Sequence, residues 1–145
     1  MDITSPKPAQ VIRYAYLWAD EHDAGREEGV KDRPAAIVMT LQSSGQDLRV
    51  AVVPITHSPP APNTDAIEIP AHIKRHLGLD DEPSWVILTE LNVFNWPGPD
   101  LRPASSDYNA SPIYGTLPAG FFRIIRDRLV ANIRAGQIRQ VPRTE

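Results

Sequence analysis

The feature that most constrains this chain is a pair of apolar runs, Pro34 to Leu41 and Leu48 to Thr56, separated by Ser43-Ser44-Gly45-Gln46-Asp47. Both runs are rich in valine and isoleucine, which favour a pleated, half-buried surface. The polar cluster between them is turn chemistry. Together they read as an antiparallel hairpin. The first run is nearly all apolar, as a strand buried on both faces would be. Polar residues mark the hairpin's ends: Lys31 and Arg33 where the chain enters the first strand, and Thr56, His57 and Ser58 where the second one stops. If the strands are neighbours, the guanidinium and the hydroxyls face one pocket. Such a pocket suits metal-free phosphodiester cleavage.

The rest of the chain follows the same reading. Val11 to Ala19 is expected as a strand, and Asp20 to Asp32 as a charged loop. Ser58 to Asp65 carries Pro59, Pro60 and Pro62 and is extended. Ala66 to Ile69 reads as a short strand. Pro70 to Leu77 reads as a short helix, opened by proline and stopped by Gly78. Ser84 to Leu91 is another strand, and Trp96 to Pro112, with four prolines, a long irregular excursion. In Phe121 to Ala135, Phe121, Phe122, Ile125, Leu129 and Ile133 make a helical apolar stripe, and Gly136 ends it. Several short strands and one closing helix give a mainly β fold with flanking helices, either a small barrel or a curled sheet. The domain is expected over 11–136, with tails at 1–10 and 137–145.

Composition narrows the class. A chain of 145 residues accommodates one core, and 41% hydrophobic with 23% charged residues is globular. Cysteine is absent, which excludes disulfides and thiolate metal sites. No apolar run approaches the roughly 20 residues of a membrane span, and no hydrophobic signal core opens the chain. The expected location is the cytoplasm. The net charge of −3 argues against a general nucleic-acid binder. It is uneven, however: residues 121–145 hold six arginines and two acids.

Among side chains with chemistry, Arg33 offers a permanently charged donor fork suited to a developing phosphorane. Thr56 and Ser58 can donate to phosphate oxygens or cap the strand end. His57 is a conceivable acid or base. His72 and His76 have ligand-like spacing, yet no acid lies between them, so no metal is assigned there. Asp20-Glu21-His22-Asp23 reads as a solvated loop. No nucleophile elbow, P-loop or dinucleotide fingerprint is present.

In order and type, these features resemble the PemK/MazF toxin family of bacterial toxin–antitoxin systems. The resemblance rests on Glu27-Glu28-Gly29, on Arg33-Pro34-Ala35-Ala36-Ile37-Val38, on the Pro-x-Thr of Pro54-Ile55-Thr56, and on Leu117-Pro118-Ala119-Gly120-Phe121 before the last helix. It spans most of residues 11–135. It implies an SH3-like barrel, usually a homodimer, that cuts single-stranded RNA without metal or other cofactor and is held in check by an antitoxin protein. Arg33 and Thr56 take the catalytic positions. Lys31, His57 and Ser58 join as RNA-binding residues by adjacency, and Asn92 by its place in the stretch matching a groove strand. That stretch, Thr89-Glu90-Leu91-Asn92, lacks the arginine many members carry. The 70–77 helix and the 97–118 excursion look like insertions. A non-catalytic module binding protein or nucleic acid is the competing expectation. Ile67 to Leu79 also looks like a stretch of AbrB-like DNA-binding proteins, but over about a dozen residues that local physics alone explains.

Overall fold

The structure, a computed structural model, describes residues 5–26, 31–42, 48–107 and 110–143. Among the described residues there are eight strands and three helices. They are β1 (Gln10–Tyr14), α1 (Ala19–Asp23), β2 (Arg33–Gln42), β3 (Leu48–Thr56), β4 (Ala66–Glu68), α2 (Ala71–His76), β5 (Trp85–Ile87), β6 (Glu90–Asn95), β7 (Ile113–Thr116), α3 (Ala119–Arg134) and β8 (Arg139–Pro142). The turn cluster at 43–47 and the Glu27-Glu28-Gly29 segment lie outside the described residues.

The strands join in the order β4-β5-β3-β2-β1-β7, and β6 pairs with both β3 and β8. Every pairing is antiparallel except that of β6 with β8. The sheet forks at β3. Arg49 to Val52 pair with β6, whereas Ile55 and Thr56 pair with β5. Among the described residues the strands do not close into a ring: β4, β7 and β8 each pair on one side only. Among the described residues, no helix is long and apolar enough to cross a membrane.

Alternation along β3 explains why it is central. Val50 and Val52 pack on one face with Ile12, Tyr14, Tyr16, Ile37 and Phe94. Ala51, Val53 and Ile55 pack on the other with Val11, Ala36, Val86, Ile73, Ile125 and Leu129. A strand buried on both faces carries apolar residues at both parities, as this run does. Helices α2 and α3 cover the second face. The 96–112 excursion covers the first, where Leu101 joins Phe94 and Tyr14 stacks on Phe94 with ring centroids 4.6 Å apart.

Several expected boundaries move. The first strand stops at Tyr14; beyond it, Asp100 O accepts from Ala15 N and Asn92 Oδ1 from Leu17 N, so that segment is satisfied outside a ladder. The charged loop opens with α1, where Glu21 reaches back to Trp18 N at 3.0 Å. The expected strand at Ser84 to Leu91 is two strands, because the chain crosses at Leu88 and Thr89 from the β5 branch to the β6 branch. Ala9, expected in a tail, is a core residue next to β1. The expected C-terminal tail holds β8, paired to β6, with Val141 and Arg143 buried.

Candidate functional site

Arg33 begins β2 and Thr56 ends β3. The hairpin register, Ala35 opposite Pro54, continued two positions sets Arg33 across from Thr56. Both line a groove of about 910 Å³, together with Lys31, His57 and Ser58. Five of the six residues expected to handle RNA are thus brought together.

Asn92 is the exception, and its assignment to RNA binding is corrected. Its side chain is 0% exposed and hydrogen-bonded at both its oxygen and its nitrogen. It accepts from Leu17 N at 2.9 Å and Arg143 Nη1 at 3.1 Å, and it donates to Leu17 O at 2.8 Å. This is the pattern of a buried amide whose oxygen and nitrogen are bonded within the fold. Arg143 also donates to Ala15 O at 2.7 Å and pairs with Asp100 at 2.9 Å, so the C-terminus, β6 and the excursion are tied at one point.

Arg33 is half-buried, with its guanidinium carbon 4.9 Å from the Trp18 ring centroid. Its Nε is buried without a hydrogen-bond partner, and the group makes no ion pair among the described residues. Desolvation lowers its pKa, opposed by Glu21 and Tyr16. A guanidinium still carries its charge under such conditions. The result is a partly desolvated cation against an indole, in no ion pair among the described residues.

Thr56 is buried, and its Oγ1 accepts from Ser58 N at 3.1 Å. This local bond fixes the turn after β3 and leaves the hydroxyl proton available as a donor. His57 points into a polar ring of four side chains. Its Nε2 lies 2.8 Å from Asp80 Oδ2, and its Nδ1 lies 3.0 Å from Ser84 Oγ. Lys74 Nζ donates to Ser84 Oγ at 2.7 Å and to Asp80 Oδ1 at 2.6 Å, closing the ring. Glu82 Oε2 and Pro83 O also approach His57, at 3.5 and 3.2 Å. Burial raises the Asp80 carboxyl, but the bonds from Lys74 and Glu82 N and the charges of His57 and Lys74 outweigh it. The carboxyl is held below its ordinary value. Both imidazole nitrogens are engaged, so His57 braces the Thr56-His57-Ser58 segment against the 80–84 loop.

Donor atoms of His57, Asp80 and Glu82 lie within 4.8 Å of one another. The Lys74 ammonium, bonded to Asp80, already supplies a positive charge to this cluster, which disfavours a cation there. His72 and His76 are both exposed on α2.

The groove is lined by five Lys or Arg residues and four Asp or Glu residues, so it is electrostatically mixed. Three of the cations are committed: Lys74 to Asp80, Arg139 to Asp20, and Arg13 to Asp32 at 3.7 Å. Lys31, Arg33 and Glu90 make no ion pair among the described residues, although Glu21 acts on Arg33 and Arg139 on Glu90 through their charges.

Trp18, Glu90 and the Lys74–Asp80–Ser84 ring were not legible as site residues. Trp18 fell within the expected first strand and Lys74 within the expected short helix, and neither was assigned any chemistry. Comparison with known proteins returns nothing: no family model, no curated protein and no solved structure matches this chain.

Proposed function

We propose that this protein is a metal-independent endoribonuclease of the PemK/MazF toxin type. The observation that carries the reading is that Arg33, at the head of β2, and Thr56, at the end of β3, line one groove, with the arginine partly desolvated and in no ion pair among the described residues. The forked, mainly antiparallel sheet around β3 and the long α3 support the finer reading of an SH3-like barrel variant.

The reaction needs little from the protein beyond charge and alignment. The 2′-hydroxyl of the RNA attacks the adjacent phosphorus and passes its proton to solvent. The bond to the 5′-oxygen of the next nucleotide breaks, and that leaving oxygen takes up a proton supplied by solvent. The products are a 2′,3′-cyclic phosphate and a 5′-hydroxyl. Arg33 stabilises the added negative charge on the non-bridging oxygens, a role that a desolvated cation fills better than a hydrated one. Thr56 donates to a phosphate oxygen. Lys31 and Ser58 contact the backbone. His57, engaged at both nitrogens, holds Thr56 and Ser58 in place rather than moving a proton.

Under this reading the active unit is a homodimer in the cytoplasm, and an antitoxin segment occludes the groove. A second reading, a non-catalytic binding module, is favoured by the groove's mixed lining of five cations and four acids, three pairs of which neutralise each other. Incubating single-stranded RNA with purified protein in EDTA separates the two: cuts ending in cyclic phosphate support the nuclease, and a folded protein that binds without cutting supports the module.

A further inference from the structure

The proposed chemistry uses Arg33 and Thr56 and leaves part of the same groove without a role. That part includes Trp18, Thr89, Glu90 and Gln137. Glu90 opens β6, and its Oε1 accepts from the Tyr16 hydroxyl at 3.1 Å and from Ala19 N at 2.8 Å. These two bonds fill that oxygen. Oε2 makes no hydrogen bond among the described residues, and Arg139, the neighbouring cation, is taken by Asp20 and Asp23. The carboxylate is therefore fixed in orientation, with one oxygen free of hydrogen bonds among the described residues on a residue that lines the groove.

We propose that Glu90 and Trp18 form a nucleobase subsite selective for guanine. An ionised carboxylate only accepts hydrogen bonds, so it selects a ligand edge made of donors. Of the four RNA bases, guanine alone places two N–H donors side by side, at N1 and at its exocyclic N2. Adenine and cytosine put a ring acceptor beside their amino group, and uracil sets its one N–H between two carbonyls. Those acceptors would meet Oε2 with repulsion. Trp18 lines the same groove, its ring carrying Arg33 at 4.9 Å and meeting the Tyr16 ring at 5.4 Å, and unpaired RNA bases are commonly read by aromatic contact plus contacts to this edge. Because Arg33 lies against Trp18, a nucleotide seated here would bring its phosphate toward that guanidinium. Tyr16 and Ala19 also support the carboxylate geometrically, so the subsite is preformed. Burial raises the Glu90 pKa, opposed by the bonds from Ala19 N and Tyr16. A desolvated carboxylate of this kind gains more from a donor-rich partner than a hydrated one does.

As the specificity element of a nuclease, this subsite rests on the ribonuclease reading; as a binding site it does not. The test is calorimetric titration of the full chain with the four ribonucleoside 3′-monophosphates, using wild type, Glu90→Gln and Arg33→Ala. Gln retains an oxygen for Tyr16 and Ala19 and turns the open acceptor into a donor. The expected result is guanosine 3′-monophosphate binding roughly tenfold tighter than the other three, as one good pair of base contacts gives. That preference disappears in Glu90→Gln, whose melting curve shows it folded, while Arg33→Ala weakens all four alike. Equal binding of the four, no binding at all, or a guanine preference retained in Glu90→Gln overturns the subsite. Guanine preference in a protein that leaves RNA uncut would remove the ribonuclease reading and leave the subsite standing. RNA cleavage without guanine preference would do the reverse.

Discussion

Nε2 of His57 lies 2.8 Å from a carboxylate oxygen of Asp80, and that contact ties the end of β3 to the loop after α2. The same carboxylate holds Lys74, a lysine only 4% exposed. The segment bearing Thr56 and Ser58 is thus braced by a helix that looked like an insertion.

Replacing Lys74 with methionine tests the brace. The substitution removes the ammonium donor shared by Ser84 Oγ, Glu82 O and the Asp80 carboxylate. Loss of a buried charged donor costs about 2 kcal/mol or more. Urea unfolding should show a loss of that size, accompanied by shifts in the amide resonances of Thr56 and Ser58. An unchanged midpoint would mean that the ring is decorative.

Acid should weaken the same brace. The folded-state pKa of Asp80 is depressed, so its contribution is present above the unfolded value near 3.9 and is lost as pH falls through the folded value. Between about pH 5 and pH 2, wild type should therefore lose more stability than Asp80→Asn. Parallel melting-temperature profiles for the two proteins would argue against the ion pair. Asp80 is half exposed, so solvent screening keeps the effect modest.

Glu90 has the opposite sign. Its folded-state pKa is raised, chiefly by burial, so ionising it disfavours the folded form. That penalty is absent below the unfolded value near 4.3 and complete above the folded one. Glu90→Gln should melt at or above wild type at pH 7, and any advantage should vanish toward pH 4. A stability cost retained for function is a common pattern at binding sites. A Glu90→Gln protein that is less stable at neutral pH would show instead that the carboxylate serves the fold.

The C-terminus is predicted to be structural. Arg143→Ala removes donors to Ala15 O and Asn92 and the partner of Asp100. Breaking a buried pair of this kind costs about 3 kcal/mol. Denaturant titration of Arg143→Ala, beside a chain ending at Gly136, should show comparable large losses. Wild-type stability in either would restore the reading of 137–145 as a tail.

How much of this was legible before the structure differs by residue. The hairpin was: unbroken apolar runs and a turn cluster gave β2 and β3 nearly to the residue, and the endpoints Arg33 and Thr56 with them. Helix α3 was equally plain from its stripe. What failed depended on distant contacts. Asn92 looked like a surface amide, since nothing local says that Leu17 and Arg143 enclose it. β7 and β8 have four residues each and no strong period. Pairing with β1 and β6 makes them strands. Trp18 and Glu90 lie far apart in sequence and reach one groove because Tyr16 and Ala19, on either side of Trp18, bind the Glu90 carboxylate.

The most direct measurement is cleavage of a long, weakly structured RNA by purified, partner-free protein in EDTA, beside Arg33→Ala and Thr56→Ala. The account predicts cuts at selected sites leaving 2′,3′-cyclic phosphates and 5′-hydroxyls. It also predicts a loss of roughly a hundredfold or more in rate for Arg33→Ala, the scale for removing one charge-stabilising donor. Both variants should melt within a few degrees of wild type. RNA left intact by the folded wild type, or cut equally well by folded Arg33→Ala, would contradict it.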